Sequence, residues 1–186
     1  MIFNGSATID IADLEELAAE IGFTSASPLA MDALEFRTEV RDMCSANTCR
    51  SYGMNWRCPP AAGSLESIAQ RTSRYHLGIL VQTTGRMKHD FDYHAIRDTE
   101  VLHKKNFETF ARQVRMLFPD CFPMSAGACT ICRKCTYPDR PCRHPDRSWP
   151  SMEACGLVVN DVCKRSGLRY NYGNQTITFT SCILID

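Results

Sequence analysis

Seven cysteines fall in two short stretches whose spacing suits metal chemistry. The tighter set is Cys129-x2-Cys132-x2-Cys135-x6-Cys142, followed by Arg143-His144-Pro145. Each two-residue loop lets the chain turn around one face of an inorganic core and present the next sulfur, so three cysteines at this pitch can wrap a cuboidal iron–sulfur cluster. Tetrahedral zinc sites use two separated Cys-x2-Cys pairs instead, which leaves zinc as the alternative. The wider set is Cys44-x4-Cys49-x8-Cys58-Pro59-Pro60. Its Cys-Pro junction also occurs in ferredoxin runs. Three thiols without a local fourth leave two readings: a distant residue completes the set, or one iron stays open to a substrate. Cys182 and His144 are the candidates for an eighth ligand. Three packed, unliganded thiols are the bland alternative for this stretch.

The remaining cysteines read differently. Cys121 reads as packing. Cys155 and Cys163 are eight residues apart on an expected closing helix, about 80° from each other around its axis, and read as core. Cys182 lies on the face of the last strand opposite its Ile/Phe stripe.

Charge is uneven around the tighter set. Residues 129–150 carry Arg133, Lys134, Arg140, Arg143 and Arg147 against Asp139 and Asp146, in a chain whose net charge is zero. Cations and N–H donors stabilise an anionic thiolate cluster. The alternatives are a solvated loop that happens to be basic and a docking patch for an acidic redox partner.

Three functions fit these residues. The first is one or two [4Fe–4S] clusters passing single electrons. The second is an enzyme of dehydratase or desulfidase type, in which the Cys44/Cys49/Cys58 cluster has an open iron acting as a Lewis acid on a small substrate, with Arg57, Tyr52 and Glu153 as polar groups around it. The third is a zinc-stapled structural or partner-binding protein. The spacing of the wider set is not the Cys-x3-Cys-x2-Cys of radical S-adenosylmethionine enzymes. Gly-rich phosphate loops, Gly-x-Ser-x-Gly elbows and His-Glu-x-x-His are absent from the sequence. His76, His89, His94, His103 and His144 are scattered, and His103 is expected to face solvent on a helix.

Composition bounds the rest. The chain has 186 residues, 44% hydrophobic and 23% charged, which is ordinary for a domain with a real core. Balanced charge gives no reason to expect nucleic acid as a partner. No apolar run approaches the ~20 residues of a membrane span. Met1–Thr8 lacks a basic region followed by an apolar stretch, so no export signal is expected and a reducing, cytoplasmic setting is the default. Eleven cysteines in such a setting point to metal or chemistry rather than disulfides.

The elements that must hold the two cysteine stretches can be read from periodicity. Asp10 caps a helix with Leu14, Leu17, Ala18 and Ile21 on one face and Gly22 beyond its end. A second helix is expected from about Met31 to Met43, delivering Cys44. Ser64 caps a short helix carrying Leu65, Ile68 and Ala69. Residues 75–83 read as a buried strand, and 99–118 as the clearest helix. Ser151 is expected to start a helix with Met152, Leu157, Val158 and Val162 inward, ending near Gly167. The chain closes with a hairpin of 168–172 and 176–185 around Gly173-Asn174. The expected fold is α+β, a single domain over 1–186 with a small mixed β-sheet flanked by helices. Two structureless loops of this length need something to order them, and a metal centre is the economical candidate.

The chain also resembles an uncharacterised bacterial and archaeal family of cysteine-rich predicted metal-binding proteins, a domain of unknown function. The resemblance is carried by Glu39-Val40-Arg41 through Cys44, Cys49-Arg50-Ser51-Tyr52-Gly53, Trp56-Arg57-Cys58-Pro59-Pro60, Ala126-Gly127-Ala128-Cys129 through Cys142-Arg143-His144-Pro145, Pro150-Ser151-Met152-Glu153-Ala154, and the closing Phe179-Thr180-Ser181-Cys182. It implies a metal or iron–sulfur centre, with Cys44, Cys49, Cys58, Cys129, Cys132, Cys135 and Cys142 matching the family pattern. Position 155 departs from it, since relatives often carry an aromatic residue there.

Overall fold

A computed structural model describes residues 10–186. The reading of Met1–Thr8 as lacking a leader lies outside the described residues. In chain order the elements are α1 (Ile11–Ile21), β1 (Ser25–Pro28), a 3-10 turn (Met31–Ala33), α2 (Thr38–Ser45), α3 (Leu65–Thr72), β2 (Leu77–Arg86), α4 (Tyr93–Leu117), β3 (Phe122–Met124), α5 (Val159–Arg165) and β4 (Thr176–Ile185). The strands form one sheet in the order β1-β2-β4-β3. The α+β class is as expected, and all three strand pairings are antiparallel, so the sheet contains no parallel pair.

Alternation along the two central strands builds two cores. Ile79, Val81, Ile183 and Ile185 pack against Leu14, Leu17 and Ala18 of α1 and Phe107, Phe110 and Val114 of α4. Leu80, Cys182 and Leu184 point the other way, into a layer with Ile68, Met124, Met152, Leu157 and Val162. A sheet buried on both sides follows from this, and each fully buried Leu, Ile or Phe contributes about 1.5–3 kcal/mol. None of the seven loop cysteines belongs to either apolar layer.

Several expectations need correction. The helix expected over 31–43 is a 3-10 turn followed by α2. The helix expected from Ser151 is instead a turn over 151–156, with α5 beginning at Val159. Gly156 explains the break: its φ is 88°, and a Cβ there would lie 2.6 Å from Leu65 Cδ2. Cys155 therefore precedes the last helix, although it and Cys163 are fully buried core residues as expected. Residues 168–172 form no strand, and β4 pairs with β2 and β3. Two edge strands, β1 and β3, went unforeseen, because Ser-Ala-Ser-Pro and Phe-Pro-Met are too short for a period-2 signal. Proline fits an edge, where one N–H is not needed for pairing.

α4 starts at Tyr93, earlier than its apolar pattern suggests. Asp92 accepts from the Ala95 N–H at 3.1 Å and the Lys88 N–H at 3.1 Å, supplying a cap upstream of the periodic residues. The largest correction is His103. It is wholly buried, with its imidazole nitrogens 2.9 Å from Thr83 Oγ1 and 2.7 Å from Ser181 Oγ.

α4 lies close enough to β2 that Gly85 is required. A Cβ at Gly85 would meet Thr99 Oγ1 at 2.0 Å and Thr99 Cβ at 3.0 Å. Gly85→Ala is expected to push α4 from the sheet and cost about 1–3 kcal/mol, as overpacking typically does. Chemical denaturation checks this, and Gly85→Ala together with Thr99→Ala should recover most of the loss.

Candidate metal centre

The first cysteine stretch is shaped by two asparagines. Asn55 Oδ1 accepts from the N–H of Arg57 at 2.9 Å and of Cys58 at 3.0 Å. Asn47 Oδ1 accepts from the Tyr52 N–H at 3.0 Å. Such side chain to backbone bonds hold turns that would otherwise lack partners. Gly53, with φ 65°, donates to Pro59 O at 2.8 Å and closes the loop. Arg41, one helical turn before Cys44 on α2, donates to Ala154 O at 2.6 Å and to Gly63 O. It ties the helix that delivers Cys44 to the turn bearing Glu153.

The second stretch is pinched at its base. Ser125 donates to Pro150 O at 2.8 Å, Met152 donates to Ser125 O at 3.0 Å, and Ser125 and Ser151 form a β-bridge. Lys104 on α4 donates to Ala128 O at 2.7 Å and pairs with Glu100. Arg147 pairs with Glu108 of the same helix at 2.5 Å. Within the loop, Arg143 donates to Lys134 O and Thr136 to Pro141 O.

The two stretches dock on each other. Trp56 Nε1 donates to Arg140 O at 3.0 Å, and its ring meets Tyr137 edge-on at 5.0 Å. Arg57 donates from Nε to Ser148 Oγ at 2.8 Å and from a terminal nitrogen to Pro145 O at 3.1 Å. None of these cross-loop pairs has a sequence signal of its own.

Cys129, Cys132, Cys135 and Cys142 line one cavity, together with Asn55, Arg57, His144 and Ser148. Hydrogen-bonding groups gather at Cys142. The His144 N–H lies 3.4 Å from Cys142 Sγ, and Ser148 Oγ lies 3.5 Å from it. Burial raises the Cys142 thiol, but the Ser148, His144 and Arg57 donors outweigh it and leave the thiol below its ordinary pKa. Burial raises Cys129, and the neighbouring thiols Cys142, Cys135 and Cys132 raise it further.

Cys44, Cys49 and Cys58 form the second group. Burial raises Cys58 despite an Asn55 hydrogen bond, and Cys49, Cys44 and Cys129 add to the shift. The two groups are therefore neighbours. Cys44 is raised by burial, lowered by Arg41, and raised by Cys49 and Glu153. Glu153 Oε2 is itself buried without a hydrogen-bond partner. Cys49 is exposed and Cys44 only partly buried.

Of the two eighth-ligand candidates, His144 lines the four-thiol cavity, whereas Cys182 does not come to either loop. Cys182 is packed between Leu80, Met124 and Leu184, near Cys155 and Cys163, and burial drives its thiol well above the ordinary value. Cys121 packs beneath α4. Tyr52 and Arg57 flank the first stretch, with Arg57 turned to Ser148 and the four-thiol cavity.

Among the described residues, no group of three or more His, Cys, Asp and Glu side chains is drawn together as a single ion would need. The donor set nonetheless suits a thiolate-bound centre: four sulfurs line one cavity, an N–H donor is directed at Cys142, and a guanidinium lies alongside.

An α+β sheet protein carrying paired cysteine loops at its edge is the class these features define. The chain belongs to the DUF2284 family, described as predicted metal-binding proteins, whose model matches residues 27–185. No curated protein and no solved structure matches the chain. No helix among the described residues is long and apolar enough to cross a membrane.

Proposed function

We infer that the chain is an iron–sulfur protein that passes single electrons. The observation that carries this reading is that Cys129, Cys132, Cys135 and Cys142 line one cavity. A tetrahedral zinc ion draws its sulfurs to within about 3.8 Å of each other, given a Zn–S distance of ~2.3 Å. Three of the four stand at Cys-x2-Cys-x2-Cys pitch, which suits a cuboidal multi-iron core better than the two separated pairs of a zinc site. Cys44, Cys49 and Cys58 hold a second centre next to the first.

A [4Fe–4S] cluster held by these thiols supplies one-electron transfer. The protein's residues do the rest. The His144 N–H would donate to the Cys142 sulfur, which would favour the more negative, reduced state and raise the potential. Arg57 adds positive charge on the same side. The basic residues of 129–150 form the docking surface for an acidic redox partner.

A second reading is favoured by Glu153. In it the three-thiol centre acts on a small substrate, and the unpartnered Glu153 carboxylate beside Cys44 holds or accepts a proton there.

The test is anaerobic purification followed by iron, sulfide and zinc quantitation and a redox titration. About eight irons and eight sulfides per chain, reduced reversibly by one electron per cluster, are expected for two cubane clusters. Zinc without iron or sulfide overturns the proposal. A small molecule that perturbs the spectrum of only one of two clusters favours the second reading.

A further inference from the structure

A different cavity, of about 360 Å3, lies between α3, α4 and the two cysteine loops. Its size falls at the small end of ligand pockets. Arg57, Arg71 and Arg115 line it, along with Trp56, Trp149 and Phe122, and no aspartate or glutamate does. Three arginines lining one space in a chain of zero net charge is a strong local asymmetry.

Each arginine is held by neutral groups. Arg57 rests on the Ser148 hydroxyl and the Pro145 carbonyl. The Arg71 guanidinium lies 4.4 Å above the centre of the Phe122 ring. Arg115 donates to the Asp146 carbonyl at 3.2 Å. Among the described residues, the one carboxylate within 4.0 Å of any of the three guanidiniums is that of Asp146, 4.0 Å from Arg115 and itself 90% exposed, so it compensates little of the charge. The positions are thus fixed while the charges stay unneutralised, the arrangement that binds an oxyanion at low ordering cost.

We propose that this cavity binds a small oxyanion, a carboxylate or a phosphate, through Arg57, Arg71 and Arg115. Arg57 also lines the four-thiol cavity, so the anion sits one side chain away from Cys142. This goes beyond the electron-transfer reading and stands whatever inorganic centre the thiols hold.

The test is calorimetric titration of the protein as purified anaerobically with inorganic phosphate and, separately, with succinate, in a zwitterionic buffer at constant chloride. Binding of either anion is expected, and the tighter of the two identifies the source as phosphate-like or carboxylate. Arg71→Gln with Arg115→Gln should weaken that binding at least tenfold and leave iron content unchanged. Arg71→Lys, which keeps the charge and loses the planar fork, should fall between the two. Iron content reports on the metal reading separately. No binding by wild type, an equal effect from added chloride, or equal affinity in the double variant overturns the proposal. If the double variant fails to fold, Arg71→Lys alone decides it, and unchanged affinity there counts against the site.

Discussion

Cys135→Ala is expected to lose about four irons and four sulfides per chain, the content of one cubane cluster. Cys135 is one of four thiols lining a common cavity, and it shares that wall with Cys129, Cys132 and Cys142. Removing one sulfur leaves the other three without a closed set. The surrounding N–H donors cannot replace it, because an iron needs an anionic donor and they offer only hydrogens. The contrast is Cys163→Ala. Cys163 is fully buried in the apolar layer under α5. Truncating it removes a buried sulfur and costs about 1–2 kcal/mol through the small void left behind, yet should leave iron and sulfide unchanged. Metal quantitation and denaturation of the two variants, side by side, check both halves. Unaltered iron in Cys135→Ala would sink the assignment of the cavity.

The second large effect comes from His103. Burial, reinforced by the Lys104 charge, pushes its pKa from 6.5 to about 3. The neutral ring uses one nitrogen as donor and the other as acceptor, and the Thr83 and Ser181 hydroxyls can meet both needs. The folded state therefore holds fewer protons than the unfolded state between the two pKa values. The stability owed to this group is fully present above about pH 6.5 and is lost as pH falls toward 3, at about 1.4 kcal/mol per pH unit. By pH 5 the loss is about 2 kcal/mol. Urea unfolding of wild type and His103→Gln at pH 7.5 and pH 5, at matched iron content, measures it. His103→Gln should be less stable at pH 7.5 and show a shallower pH slope. Equal slopes in the two proteins would refute the buried neutral ring.

His103 also shows where sequence reading stops. Positions 103, 107, 110 and 114 follow helical spacing, and the last three are plainly core. The stripe was legible, but histidine's polarity hid its first member. The hydroxyls that make burial tolerable come from β2 and β4, 20 and 78 residues away. The same limit applies elsewhere. Cysteine spacing marked the seven loop thiols because ligand pitch is a local property. The β2 strand was legible from its short apolar run and β4 from the alternation of Ile177, Phe179, Ile183 and Ile185 with Thr178, Thr180, Cys182 and Leu184. The Trp56–Arg140 and Arg57–Ser148 contacts that join the two cysteine stretches were not, since they depend on how the loops come to rest. The arginine cavity was equally hidden: Arg57, Arg71 and Arg115 share no motif and meet only in three dimensions. Asn55 offered a weak cue, as an Asx turn just before Cys58.

The pinch at Ser125 and Ser151 has a consequence for the life of the protein. It seals the thiol-bearing excursion at its root, and neither apolar layer borrows a residue from the seven thiols. If the thiols hold the proposed centre, a chain stripped of it by oxygen would keep its helix-covered sheet, unlike metal-dependent folds that come apart with the ion. Damage would then be confined to the excursion, and the same molecule could be reloaded in place instead of being degraded and made anew.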